Sequence, residues 1–147
     1  MIKVPTRAFA NSSFAIIEIG TSFLLQKRDN KNCIWYPSMI GLFGGKIENK
    51  ENELDALKRE ITEETNINIK KFFFLNSFLL KNKNKYYSRY DFYKKIIKLP
   101  KNFRVTEGEG YLLVNRTKLA SLKNIIVPTD YISLSNYLRI KYNYYLM

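Results

Sequence analysis

The stretch from Ile40 to Ile67 constrains this chain more than any other. A short apolar strand, Ile40 to Phe43, runs into Gly44-Gly45, which is expected to stop it. Asn52 to Thr65 then reads as a helix. Asn52 is the N-cap, with Asp55 at the capping-box position, and Leu54, Leu57 and Ile61 form an apolar stripe at helical spacing. Asn66 follows the last turn, where a left-handed residue, usually Gly and sometimes Asn, ends a helix. Seven of the 13 acidic residues lie between Glu48 and Glu64, against three basic ones, so this segment carries −4. The remainder of a chain of net charge +12 therefore carries +16. Glu60, Glu63 and Glu64 stand at i, i+3 and i+4 and share one helix face, with Glu53 at a similar angle two turns earlier. Like charges at such spacings repel by about a few tenths of a kcal/mol per pair, and by more when desolvated. A divalent cation removes that repulsion and accepts hard oxygen ligands. An ordinary solvated acidic face is the plainer alternative.

The rest of the composition narrows the chemistry. A length of 147 residues with 46% hydrophobic and 15% aromatic residues implies one folded domain over 1–147. The chain contains no histidine and one cysteine, Cys33. That excludes a Ser-His-Asp triad, a Cys-His pair, a His zinc ligand and an intrachain disulfide. Any metal must be held mostly by oxygen, which points to Mg²⁺ or Mn²⁺. The positive charge implies either an anionic partner or simply a lysine-rich solvated surface. No segment reads as a secretory signal or a membrane span, so a cytoplasmic protein without a membrane partner is expected.

Around the acidic helix the pattern is mixed. Phe14 to Ile19 and Ser22 to Arg28, joined at Gly20-Thr21, read as a β-hairpin. Lys71 to Leu80 and Tyr86 to Ile97 read as antiparallel strands joined by a charged loop, Lys81 to Lys85. Gly110 to Val114 reads as a strand and Thr117 to Leu122 as a short helical or turn segment. Pro128 sits at N1 of a last helix over 129–142, whose apolar positions fit a one-sided pattern only loosely.

The segment Gly45, five residues, Glu51, seven residues, then Arg59-Glu60-Ile61-Thr62-Glu63-Glu64-Thr65-Asn66-Ile67 resembles the Nudix box of MutT-like hydrolases. Only the last glycine of the box departs, with Asn66 in its place before the aliphatic Ile67. The resemblance implies an α+β fold, the α/β/α sandwich in which a mixed sheet lies between helices. It also implies hydrolysis of a nucleoside diphosphate derivative with Mg²⁺ or Mn²⁺. On that reading the metal ligands are the Gly45 carbonyl, Glu60, Glu63 and Glu64. Arg59 orients the glutamates, Glu51 braces the loop against the helix, and Gly44 lets the backbone turn. Asn66 keeps a left-handed helix end at small cost.

The resemblance leaves the general base between a box glutamate and a later loop carboxylate, Glu107 or Glu109. Glu109 is preferred because it lies nearer the following strand, and the flanking glycines suit a loop that closes over substrate. Arg28 is a candidate for phosphate or base contact. Trp35, Tyr36 and Tyr111 could stack on a base or serve as packing. The substrate class is a nucleoside triphosphate, oxidised or not, or a nucleotide sugar. Two alternatives stand beside it: a non-catalytic nucleotide-binding module and a 5′-end RNA pyrophosphohydrolase. Nucleic acid is not favoured, since no stripe of Lys and Arg interleaves with aromatics. The aromatic C-terminus (Tyr142, Tyr144, Tyr145, Leu146) could pack on its own sheet or join a homodimer.

Overall fold

Alternation along the first hairpin sets the layers. The computed structural model describes residues 10–31 and 36–146. In β1 (Ser12–Ile19), Ala15 and Ile17 join one buried cluster and Ile16 joins the other, as period-2 side chains must. In β2 (Ser22–Lys27), Leu24 joins the first cluster, and Phe23 and Leu25 join the second. Each face receives one helix. Leu57 and Ile61 of α1 (Glu53–Thr65) complete the first cluster, and Leu134, Tyr137 and Leu138 of α2 (Pro128–Tyr142) complete the second. Leu57 and Leu134 are fully enclosed, so truncating either to Ala costs about 2–5 kcal/mol.

Among the described residues the sheet has seven strands and mixed pairing. β1 runs parallel to β6 (Lys85–Ile96) along its whole length, from Ser12 beside Arg89 to Ile19 beside Ile96. On its other edge β1 pairs antiparallel with β2 at Glu18–Ile19 and with β4 (Phe43–Lys46) at Ser12–Ala15. The short β3 (Ile40–Gly41) pairs with β2, so the chain crosses from one neighbour to the other at Leu42. β5 (Phe73–Asn82) flanks β6, and β7 (Tyr111–Asn115) flanks β2, both antiparallel. The helix–sheet–helix sandwich expected from sequence is the architecture observed.

Two local expectations are corrected, and the short helical segment expected after β7 is present. The strand does not stop at Gly44-Gly45 but passes through them into Lys46. The reason for glycine here is close approach: Gly44 has φ +148°, and a Cβ would stand 2.2 Å from the Ser13 carbonyl oxygen. The loop expected over 81–85 shrinks to a two-residue turn, because Asn82 pairs directly with Lys85 and Lys83 takes the left-handed region at φ +57°. The segment after β7 forms two 3₁₀ helices, Arg116–Lys118 and Ala120–Ile125. The helix ends are as read. The Asn52 side chain accepts from the Asp55 N–H, and Asn66 is left-handed at φ 58°. In α2 the loose pattern has a physical counterpart, since Ile132 and Ile140 face outward while Leu134 and Leu138 are buried. Tyr142, Tyr144 and Leu146 pack on the chain's own core. No helix among the described residues is long and apolar enough to cross a membrane.

Candidate active site

The C-terminal half of α1 lies against β4, and a forked ion pair fixes the loop between them. Arg59 Nε donates to Glu51 Oε2 at 2.7 Å and Nη2 donates to Glu51 Oε1 at 2.9 Å. Nη2 also reaches the Lys46 carbonyl at 3.0 Å, and Glu51 Oε1 accepts the Glu48 N–H at 2.8 Å. Two parallel N–H···O bonds to one carboxylate are the strong, directional form of the pair. The guanidinium holds the Glu51 carboxyl below its ordinary 4.5, and the Glu51 hydrogen bond raises Arg59 above its own ordinary value. Arg59 Nη1 turns the other way, to Glu60 Oε1 at 3.1 Å and to Glu63 Oε2 at 3.5 Å. One side chain thus joins the loop to two of the helix carboxylates.

The three helix glutamates differ in exposure. Glu64 is buried, and its Oε1 accepts the Gly44 N–H at 3.1 Å, tying α1 to β4. Glu60 is buried beside it in the next turn, whereas the Glu63 side chain is 60% exposed. Gly44, Gly45 and Glu64 line a cavity of about 630 Å³. Arg28, Lys31 and Tyr36 line it as well, which sets cationic groups and an aromatic ring in the same space as the buried carboxylate. Among the described residues no three acidic side chains converge closely enough to hold an ion as they stand. The donor set nevertheless fits a hard divalent cation in chemistry: clustered carboxylates beside the Gly45 backbone, in a chain with no imidazole.

The later loop is pinned on both sides. The Thr106 N–H and hydroxyl donate to the carbonyls of Glu64 and Glu63, at 3.0 and 2.7 Å. On the other side, Glu109 N–H donates to the Lys27 carbonyl at 2.8 Å, and Gln26 Nε2 donates to the Glu107 carbonyl at 3.2 Å. Between them Gly108 has φ +79°, where a Cβ would lie 2.5 Å from the Lys27 carbonyl oxygen. Glu107 lines the cavity. The Glu109 carboxylate lies 3.9 Å from Lys27 Nζ and is 46% exposed. Tyr111 sits on β7 with its ring edge-on to Phe103 at 4.8 Å. Trp35 falls outside the described residues.

One part of the site escaped the sequence reading. Ser12, Phe14, Leu80, Arg89, Thr129 and Asp130 line the cavity too. Arg89 is 2% exposed and pairs with Asp91 at 3.0 Å and Asp130 at 2.7 Å. Arg89 and Asp91 share a strand face by period 2, which was visible, but Asp130 arrives from α2, some forty residues on. Desolvation raises Asp91 above its ordinary value against the pull of Arg89, while Asp130 and Asp91 together overcome burial and keep Arg89 charged.

Comparison with known proteins follows the same lines. The NUDIX domain model matches residues 10–98, more than half of the chain. A search of curated protein sequences gives no match. Among solved structures, a MutT protein from Methanosarcina mazei Go1 superposes with a TM-score of 0.74 at 18% identity, covering 94% of this chain and 99% of its own. The NUDIX domain of Shewanella oneidensis NrtR, solved with ADP ribose, gives 0.69 at 14% identity over 90% and 87% of the two chains. The Escherichia coli dihydroneopterin triphosphate pyrophosphohydrolase gives 0.65 at 14% identity over 86% and 92%. At these identities the likeness is one of fold. The match of the family model over β1 to β6, on a chain whose Arg59 and glutamates are arranged as described, identifies this protein as a member of the Nudix, MutT-like, hydrolase family.

Proposed function

We propose that this Nudix pyrophosphohydrolase cleaves the pyrophosphate bond of a small nucleotide in the cytoplasm, a nucleoside triphosphate or a nucleotide sugar, with Mg²⁺ or Mn²⁺. The observation that carries the reading is the joint lining of one cavity by buried Glu64, by Gly44-Gly45 and by Arg28 and Lys31. Such a cavity suits a polyphosphate, whose negative charge needs cations on all sides. Glu60, Glu63 and Glu64 with the Gly45 carbonyl would hold the metal, which when bound neutralises phosphate charge and makes water more acidic.

The chain's own groups do the rest. Arg59 fixes the carboxylates in place through Glu51 and the Lys46 carbonyl. Arg28 is suited to a phosphate oxygen by its fork. Glu107, the loop carboxylate that lines the cavity, is our choice to take the proton of the attacking water. Water oxygen bonds to phosphorus, the bridging P–O bond breaks, and the leaving phosphate departs with the electron pair. Relatives of this fold include one solved with ADP ribose and one named for a pterin triphosphate, which is why the test must span several nucleotide classes.

That test is product identity from a panel of triphosphates, nucleotide sugars, ADP-ribose and 5′-triphosphate RNA, with Mg²⁺, for wild type and Glu64→Gln. The glutamine oxygen can still accept the Gly44 N–H, so the fold is kept. Metal-dependent release of a monophosphate that Glu64→Gln abolishes supports the proposal. Nucleotide binding without turnover would replace it with a non-catalytic module, and turnover of RNA alone would replace the small-nucleotide substrate.

A further inference from the structure

The linear order holds no stripe of cations interleaved with aromatics, but the fold assembles one on the α2 side of the sheet. Phe73 of β5 stacks on Tyr93 of β6, its cross-strand partner, at 5.5 Å. Tyr93 meets Tyr137 at 5.3 Å, and Tyr137 meets Tyr142, the last residue of α2, at 6.0 Å. Cations stand over this row. Lys71 Nζ lies 5.0 Å from the Phe73 ring centre and Lys141 Nζ lies 4.8 Å from that of Tyr93. Over Tyr142, Lys95 Nζ stands at 5.3 Å and the Arg116 guanidinium at 4.3 Å. A ring face attracts a cation through its quadrupole, most visibly where carboxylates are scarce. They are scarce here: residues 65–106 hold eleven basic residues and one acid, Asp91, whose oxygens bond Arg89 and Ser133. Glu18 lies under the row, fully buried, and offsets one of the four charges through Arg116. Three positive charges remain in excess.

The row stands apart from the cavity. On β6, Tyr93 and Lys95 follow the cavity-lining Arg89 by four and six residues, about 13 and 20 Å along the strand. The acidic helix α1 packs on the opposite face of the sheet. Anionic groups drawn to this row are therefore not those that Gly44-Gly45 and Glu64 surround.

We propose that the row is a binding surface for single-stranded nucleic acid, its cations taking backbone phosphates and Phe73 stacking on a base. Phe73 is 41% exposed, and Lys71 covers it on a flexible stem that swings to a phosphate and yields the ring. Cations that track a backbone beside aromatic rings are the general means of holding single strands, and they tolerate any sequence because every base has a π-face. An anionic bilayer fits less well. It takes apolar side chains that reach past the cations into the acyl boundary, whereas here the cations lie over the rings.

The test is fluorescence anisotropy of the full chain with a labelled 5′-hydroxyl oligouridine of about twelve nucleotides, which offers the cavity no terminal polyphosphate. Wild type should bind in the micromolar range at low salt. Its log affinity should fall with log salt at a slope of about −2, since each phosphate contact on a single strand contributes about −0.7. Lys71→Gln with Lys141→Gln keeps both stems and should make that slope shallower by about 1.4. Lys81→Gln with Lys85→Gln removes the same charge from the far end of the β5–β6 hairpin and should leave affinity at the wild-type value. Phe73→Leu should weaken binding about fivefold or more, with the slope unchanged. The proposal is overturned by equal losses in the two lysine pairs, by wild-type affinity in Phe73→Leu, or by failure of wild type to bind the oligonucleotide. That last measurement needs no variant to fold. Binding to vesicles of anionic phospholipid without binding to oligouridine would overturn it in favour of a membrane surface.

Discussion

Arg59 and Glu51 close a two-bond fork across eight positions of sequence, Nε to Oε2 at 2.7 Å and Nη2 to Oε1 at 2.9 Å. The fork leaves Nη1 for Glu60, so the loop and the helix carboxylates share one anchor. A lysine carries the charge but presents no planar fork. Arg59→Lys should therefore lower kcat by about 10- to 100-fold, the scale set by small misplacements of catalytic groups, with a melting temperature within a few degrees of wild type. Steady-state kinetics beside thermal unfolding checks this, and wild-type kcat in the variant would remove the anchoring role.

The same pair gives a pH dependence. Arg59 holds the Glu51 carboxyl below 4.5 in the folded protein, so folding favours its ionised form. The contribution is present above pH 4.5 and is lost as the pH falls below it, through the lowered folded-state value. Wild type should be more stable than Glu51→Gln near neutrality, and the two melting curves should converge toward pH 3. A gap that widens on acidification would contradict the pairing.

Glu107 and Glu109 are separated by one glycine but face different surroundings. Glu107 lines the cavity, and Glu109 lies beside Lys27 with its side chain 46% exposed. Glu107→Gln should lower kcat by about 10²- to 10⁴-fold, as expected for loss of a general base. Glu109→Gln should stay close to wild type. The reverse order in kcat would reinstate Glu109 as the base.

Asn66 does more than a glycine would at the end of α1. Its φ is 58°, and its Nδ2 donates to the Asn102 carbonyl at 3.0 Å. Asn66→Gly should cost no more than about 1 kcal/mol, the worth of one exposed hydrogen bond. Asn66→Ala adds left-handed strain of about 1–2 kcal/mol. Urea unfolding of the two variants should rank them in that order.

Glu18 is fully buried and accepts 2.7 Å hydrogen bonds from both Tyr137 and Tyr142, with Arg116 Nη2 at 3.1 Å. Burial and the neighbouring Glu18 charge push the Tyr137 phenol well above its ordinary value, so it remains a donor throughout the working range. Tyr137→Phe leaves the carboxylate short of a partner and should cost about 1.5–3 kcal/mol, without changing kcat, because Tyr137 belongs to the α2 core. Denaturant titration and an activity assay together test both halves.

The acidic helix, its two caps, the strand–loop–helix spacing and the family resemblance are legible in the amino-acid order, since each is written in contiguous residues and local periodicity. Arg59 and Glu51 belong to that legible part, because the whole relationship lies within one loop and one helix. Tertiary structure alone decided the rest. Gly44 looked like a stop but is a point where β4 presses on the Ser13 carbonyl, a neighbour thirty residues away. Glu107 and Glu109 are equivalent as text, and only the pinning of their loop to β2 and α1 turns one toward the cavity and leaves the other at Lys27. Arg89 reads as one more cation in a basic chain. It becomes a buried guanidinium on the cavity wall only because parallel pairing with β1 sets it under α2, where Asp130 meets it. Local spacing encodes what neighbours in sequence do to each other, and burial and charge pairing between distant segments exist only once the sheet has assembled.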